Sequence, residues 1–214
     1  MASLAHIVLL GDSILDNGAY TRGAPDVLAH LKSLLPRNWS ASLAAVDGSR
    51  IADLSRQLST VPDDATHLVI AIGGNDVLAN RDLLDTRVPS TAAALALFDE
   101  RVTRFEGAYR EAMKGAAALG RPLIVCTIYN GRLEPAEAKL ARIALMVFND
   151  AILRTAFAMG LSVIDLRLVC TDPEDYANPI EPSGQGGRKI ASAIAGALGL
   201  AERSPIATHV YSGR

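Results

Sequence analysis

The stretch His6-Ile7-Val8-Leu9-Leu10-Gly11-Asp12-Ser13-Ile14-Leu15-Asp16-Asn17 decides how the rest of this 214-residue chain is read. Its apolar run, Ile7 to Leu10, is long enough for a buried strand and stops at a glycine. A serine then sits in a polar turn. In a parallel sheet that serine stands at the C-terminal edge, where open α/β sheets place ligands. The same residue types also serve as plain punctuation between a strand and a loop. The neighbouring turns have to decide between the two.

Downstream, apolar strand-like runs alternate with helical stripes. Pro25 to Leu35 reads as a helix, with Val27, Leu28, Leu31, Leu34 and Leu35 at helical spacing. Ser42 to Val46 reads as a strand, Ile51 to Leu58 as a helix, and His67 to Ile72 as a strongly buried strand. A short helix and loop are expected over Val77 to Thr91, and a long helix over Ala93 to Leu119. Pro122 to Thr127 and Leu161 to Leu166 read as strands, with a helix from Pro135 to Met159 between them that Gly160 stops. A loop from Arg167 to Gln185 leads into a last helix, Gly186 to Leu198. Five strands alternating with helices require crossover connections. The expected fold is therefore α/β, a three-layer α/β/α sandwich around a flavodoxin-like parallel sheet of order 2-1-3-4-5. One domain over residues 1–214 is expected, with 201–214 as a tail.

Half the residues are apolar, 21% are charged, and the formal net charge is -2, a globular profile with no Lys/Arg-dense run to bind nucleic acid. The two cysteines, Cys126 and Cys170, lie in or beside apolar segments and read as buried free thiols. The first apolar run is too short for a signal peptide or a membrane span, so a cytoplasmic protein without a membrane partner is expected.

Strands one, two and three each end in a polar turn containing glycine: Gly11-Asp12-Ser13, Asp47-Gly48-Ser49 and Gly73-Gly74-Asn75-Asp76. In the order 2-1-3 these turns are neighbours along one edge. A hydroxyl beside preorganised donors is the minimum equipment for acyl transfer. The three ordered blocks resemble those of the SGNH hydrolases, the GDSL-type esterases and lipases. That resemblance implies Ser13 as nucleophile, with the Ser13 and Gly48 backbone N–H groups and the Asn75 side-chain amide as the oxyanion hole. Each residue also has a plainer reading: Gly48 as a tight turn, Asn75 and Asp76 as helix caps, Asp12 as organiser of the serine turn, Asp16 and Asn17 as turn formers or pocket lining.

The fourth block departs from the family. Where the family carries Asp and, three residues on, His, this chain has Asn178 and Glu181, within Asn178-Pro179-Ile180-Glu181-Pro182-Ser183. His6 and His67 open strands one and three, at the edge away from Ser13. His30 reads as a surface or interface residue of the first helix, and His209 lies in the tail. A free carboxylate, with a pKa of about 4.3, matches a serine hydroxyl poorly, and burial would improve the match by raising it. The expectation is a serine hydrolase of a small-molecule ester. Ser13 is its nucleophile and Glu181 an atypical base that Asn178 orients by hydrogen bond. No cofactor or metal is expected, and a homo-oligomer is left open. The alternative is a catalytically impaired binding or regulatory protein on the same scaffold. A nucleotide binder is disfavoured, because the turns lack G-x-G-x-x-G and P-loop spacing. Val77 to Thr91 and Arg167 to Gln185 are expected to roof the pocket.

Overall fold

The computed structural model describes residues 4–200 together with Thr208 and Val210. Five strands, β1 (Ala5–Gly11), β2 (Trp39–Leu43), β3 (His67–Ala71), β4 (Leu123–Cys126) and β5 (Ser162–Ile164), form one parallel sheet in the order β2-β1-β3-β4-β5. The register pairs Leu9 with Leu43 and Gly11 with Ala71. The helices are α1 (Val27–Leu34), α2 (Leu54–Leu58), α3 (Gly74–Leu78), α4 (Thr91–Ala117), α5 (Pro135–Met159), α6 (Leu166–Val169) and α7 (Gly184–Ala197).

Side chains alternate across a strand, so each strand feeds two cores. Ile7, Leu9 and Val69 pack on one face against Val27 and Leu31 of α1 and Ile190 and Ile194 of α7. Val8, Leu10 and Ile70 pack on the other against Tyr109 and Met113 of α4 and Phe148 and Ile152 of α5. This double burial is why the strands read as unbroken apolar runs rather than alternating ones. Among the described residues no helix is long and apolar enough to cross a membrane.

The expected sheet order is the one observed, and α5 has the expected bounds. Most other boundaries shift by one to three residues, some for plain local reasons. The second strand, expected over Ser42 to Val46, runs Trp39–Leu43, and it ends there because Ala44 and Ala45 both turn their N–H groups onto the Leu9 carbonyl and break the ladder. The helix expected over Ile51 to Leu58 opens as a 3-10 turn, Ile51–Asp53, before α2. The last helix starts two residues early, where the Ser183 hydroxyl caps it by accepting from Gly186 N–H. The loop from Arg167 holds a 3-10 turn at Pro173–Asp175, preceded by α6. Cys126 and Cys170 are buried free thiols, each pushed up to about 12 chiefly by burial.

Candidate active site

The first turn is forced by its glycine. Gly11 has φ +131°, and a Cβ there would lie 1.7 Å from the Ala71 carbonyl oxygen. Only glycine lets β1 run this close to β3 and then swing Ser13 over the sheet edge. Asp12 N–H donates to the Ala71 carbonyl at 3.0 Å. Asp12 Oδ1 accepts from Ile14 N–H at 3.1 Å, which tightens the turn.

Polar side chains staple the other two turns to this one. Asp16 Oδ2 accepts from Asp47 N–H at 2.9 Å, and the Tyr20 hydroxyl donates to Asp47 Oδ2 at 2.6 Å. Between Asp47 and Ser49 the chain takes φ +77° at Gly48, which is exposed. Asp76 Oδ2 accepts from Ile51 N–H at 3.0 Å, and Asn75 Nδ2 donates to the Ser49 carbonyl at 3.0 Å. An amide nitrogen carries two donors, so the second N–H of Asn75 remains for a ligand. Beneath all of this Gln57 is buried. Its Oε1 accepts from Gly11 N–H at 2.8 Å, and its Nε2 donates to the Gly11 carbonyl at 2.8 Å and to Ser49 Oγ at 3.1 Å.

The fourth loop is clamped just as firmly. Fully buried Asn17 donates from Nδ2 to the Pro182 and Ser183 carbonyls and accepts at Oδ1 from Val27 N–H. The Tyr129 hydroxyl donates to the Ile180 carbonyl at 2.6 Å. Asn178 Oδ1 accepts from Ile180 and Glu181 N–H, both at 2.9 Å. The expected hydrogen bond from Asn178 to the Glu181 carboxyl is thus replaced. Asn178 closes an Asx-type turn and sets the carboxylate through the backbone, because its oxygen faces the N–H groups two and three residues on.

Glu181 is nearly buried and meets the Ser13 hydroxyl. Oε2 of Glu181 is buried without a hydrogen-bond partner. Burial raises the Glu181 pKa and the Asp47 charge adds to this, while the Ser13 hydroxyl pulls it back. Asp12, fully enclosed, is pushed up to about 7. Burial is the main cause, opposed by the Ile14 and Gly74 N–H groups and assisted by the Glu181 and Asp76 charges. Its Oδ2 lies near Gly74 but has no aligned partner.

Asp12, Ser13, Asn75, Asn178 and Glu181 form the polar end of a cavity of about 650 Å³. Gly48 sits in the adjoining turn and is not part of the cavity wall. Residues of both expected roof segments line it, from Val77 to Leu84 and from Asn178 to Glu181. The described histidines are elsewhere. His6 Nδ1 lies 2.9 Å from Asp64 Oδ1 and its Nε2 lies 2.8 Å from Ser42 Oγ, a Ser–His–Asp relay at the N-terminal edge of the sheet. His67 stacks on Trp39. His30, read as a surface or interface residue, is half-buried and bonded through Nε2 to the Gly184 carbonyl at 3.1 Å. His209 lies outside the described residues. A hydroxyl, a carboxyl of raised pKa and a free amide donor at one cavity end hold the parts for acyl transfer.

The match to the GDSL-like Lipase/Acylhydrolase family spans residues 9–189. The chain belongs to that family. Its GDSL fold is shared with solved structures at low identity. An extracellular lipase from Streptomyces rimosus superposes with TM-score 0.67 at 16% identity, over 90% of this chain and 99% of the lipase. A phospholipase A1 from Streptomyces albidoflavus gives 0.67 at 17%, over 90% and 98%. An acetylxylan esterase from Geobacillus stearothermophilus gives 0.66 at 18%, over 93% and 97%. No functionally curated protein matches the sequence.

Proposed function

We propose that this GDSL-family chain is a serine hydrolase of esters that fit its cavity, with Ser13 as nucleophile and Glu181 as general base. The gathering of Ser13, Asn75 and Glu181 at one end of a single cavity carries the reading. Ser13 Oγ attacks the ester carbonyl as its proton passes to Glu181. The carbonyl oxygen becomes an oxyanion, received by the Asn75 amide and the Ser13 and Gly48 N–H groups. Collapse breaks the bond to the alcohol, which leaves with the proton from Glu181. Water then attacks the acyl group, gives its proton to Glu181, and the acid departs as that proton returns to Ser13. Asn178 and Asn17 are positioning residues for the base.

The base must be ionised, so its raised pKa moves the acid limb of kcat/KM above the usual carboxylate range. Glu181→Gln is expected to lower kcat by roughly 10²–10⁴-fold, the worth of a positioned general base. An organophosphonate is expected to add to Ser13, as read by mass spectrometry. Wild-type turnover that survives Ser13→Ala, or an adduct at Ser42 of the distant relay in its place, would overturn the assignment. Ligand-dependent thermal stabilisation without turnover across an ester panel would favour a binding protein instead.

A further inference from the structure

Helix α5 has two apolar faces. On the inner one, Phe148 and Ile152 enter the core, and buried Asn149 holds the Ile128 N–H and carbonyl at 2.8 Å each. On the outer one, Leu140, Ile143 and Met146 are 54%, 60% and 53% exposed, and Val147 is 39% exposed. Every other described helix exposes at most one large apolar side chain, so this face stands apart as an interaction surface. Lys139, Ile143, Met146 and Asp150 follow one another at steps of four, three and four residues. At 3.6 residues per turn they share an arc of about 60°, the spacing of a helix-pairing seam. Leu140 and Val147 flank that row on one side. The row ends in opposite charges. Lys139 is exposed and has no ion-pair partner among the described residues. Asp150 is exposed too, and only its Oδ2 is taken, by Arg154 Nε at 2.7 Å.

We infer that a second copy of this chain covers this face, with α5 packed antiparallel on α5 about a two-fold axis between Ala144 and Leu145. Ile143 then packs on the partner's Met146, and Met146 on the partner's Ile143. At both ends Lys139 meets the free Oδ1 of the partner's Asp150. Leu140 and Val147 of the two copies close one flank. A parallel pair would set Lys139 on Lys139 and Asp150 on Asp150, like charge on like. A lipid surface would take the Asp150 carboxylate out of water along with the apolar row and return no cation to it. Opposite charges at equal distances from the axis are what a self-complementary, two-fold contact requires. Neither Ser13 nor Glu181 takes part, so the dimer stands or falls apart from the hydrolase reading.

Contact along one helix is small for a permanent dimer, so dissociation on dilution through roughly 1–10 μM is expected. Sedimentation velocity of the full chain reads it as dimer giving way to monomer. Ile143→Glu, at an exposed position, is expected to keep the far-UV circular dichroism of the wild type and to stay monomeric. Lys139→Glu is expected to weaken association at least roughly tenfold by spoiling both charged ends. Lys139→Glu combined with Asp150→Lys is expected to restore it. Ile143→Cys mixed with Met146→Cys should form a disulfide-linked dimer faster than either variant alone, because only the mixture places two thiols in one layer. A monomer at every concentration up to roughly 100 μM, or a dimer that survives Ile143→Glu, would overturn the proposal. A double charge swap that fails to restore association would overturn the antiparallel pairing. Monomeric protein that sediments with phosphatidylcholine vesicles, and ceases to do so as Ile143→Glu, would assign the face to a lipid surface instead.

Discussion

Replacing Gln57 with alanine removes the one side chain that holds the serine turn and the Gly48 turn from below. It deletes the partner of the buried Gly11 N–H, the partner of Ser49 Oγ, and one of the two donors to the Gly11 carbonyl. That carbonyl keeps Val46 N–H at 3.1 Å, so its loss is small. The orphaned Gly11 donor costs about 1–3 kcal/mol, the Ser49 bond about 1 kcal/mol, and lost packing of the Gln57 stem about 1 kcal/mol more. The expected destabilisation is therefore about 3–5 kcal/mol, a large share of the roughly 5–15 kcal/mol that holds a domain folded. Urea unfolding followed by the fluorescence of Trp39, the chain's single tryptophan, measures it as a shift in midpoint. Gln57→Glu adds a signature that packing loss cannot mimic. The new carboxyl faces the Gly11 carbonyl, so its protonated form fits and its charged form does not. Its folded pKa should be raised, and the variant should lose stability as pH rises through that value. A Gln57→Ala loss below about 1 kcal/mol, the scale of a single net hydrogen bond, would refute this account of how the turns are held.

Asn17→Ala should cost about 2–4 kcal/mol, since it strands Val27 N–H and frees the Pro182 and Ser183 carbonyls. Amide exchange across residues 178–183 should speed up, and unchanged exchange would show that the loop is held elsewhere. Asp12 gives a pH dependence of stability. Its folded pKa of about 7 lies above the ordinary carboxylate value, so the folded state holds the extra proton and stability falls as pH rises from about 4 to about 7. The contribution is at most about 4 kcal/mol, and Asp12→Asn should flatten the slope of unfolding free energy across that interval. Retention of the wild-type slope in the variant would place the titration elsewhere.

The sheet and its order were legible because the strands are buried on both faces and leave continuous apolar runs, as at Ile7 to Leu10 and Leu68 to Ile72. The meeting of the three turns followed from that order, since parallel strands put their C-terminal ends on one edge. What holds the turns together was not legible. Gln57 sits in an amphipathic helix pattern where a glutamine is an ordinary surface residue, and nothing local marks it as buried 46 positions from Gly11. Asn17 and Asp16 were open between turn former and pocket wall, and their long-range partners decide the matter. Asp12 was read only as a turn organiser. It does that work through Ile14, but its enclosure, which shifts its proton affinity, is a property of the assembled site. Asn178 was singled out because it stands where the resembled family carries its Asp, which could not distinguish a bond to the Glu181 carboxyl from one to the backbone.

The carboxyl beside Ser13 has an electrical consequence. An imidazole base starts neutral and ends cationic, so the attack step creates an ion pair. On the proposed mechanism a carboxylate base starts anionic and ends neutral, and the negative charge migrates from Glu181 to the oxyanion. No new pair of opposite charges then has to be created for the oxyanion to form. The resting site, however, already carries its negative charge within reach of the scissile carbonyl. On that reading, esters bearing a carboxylate or phosphate next to that carbonyl meet like charge beside Glu181 and are expected to be poor substrates.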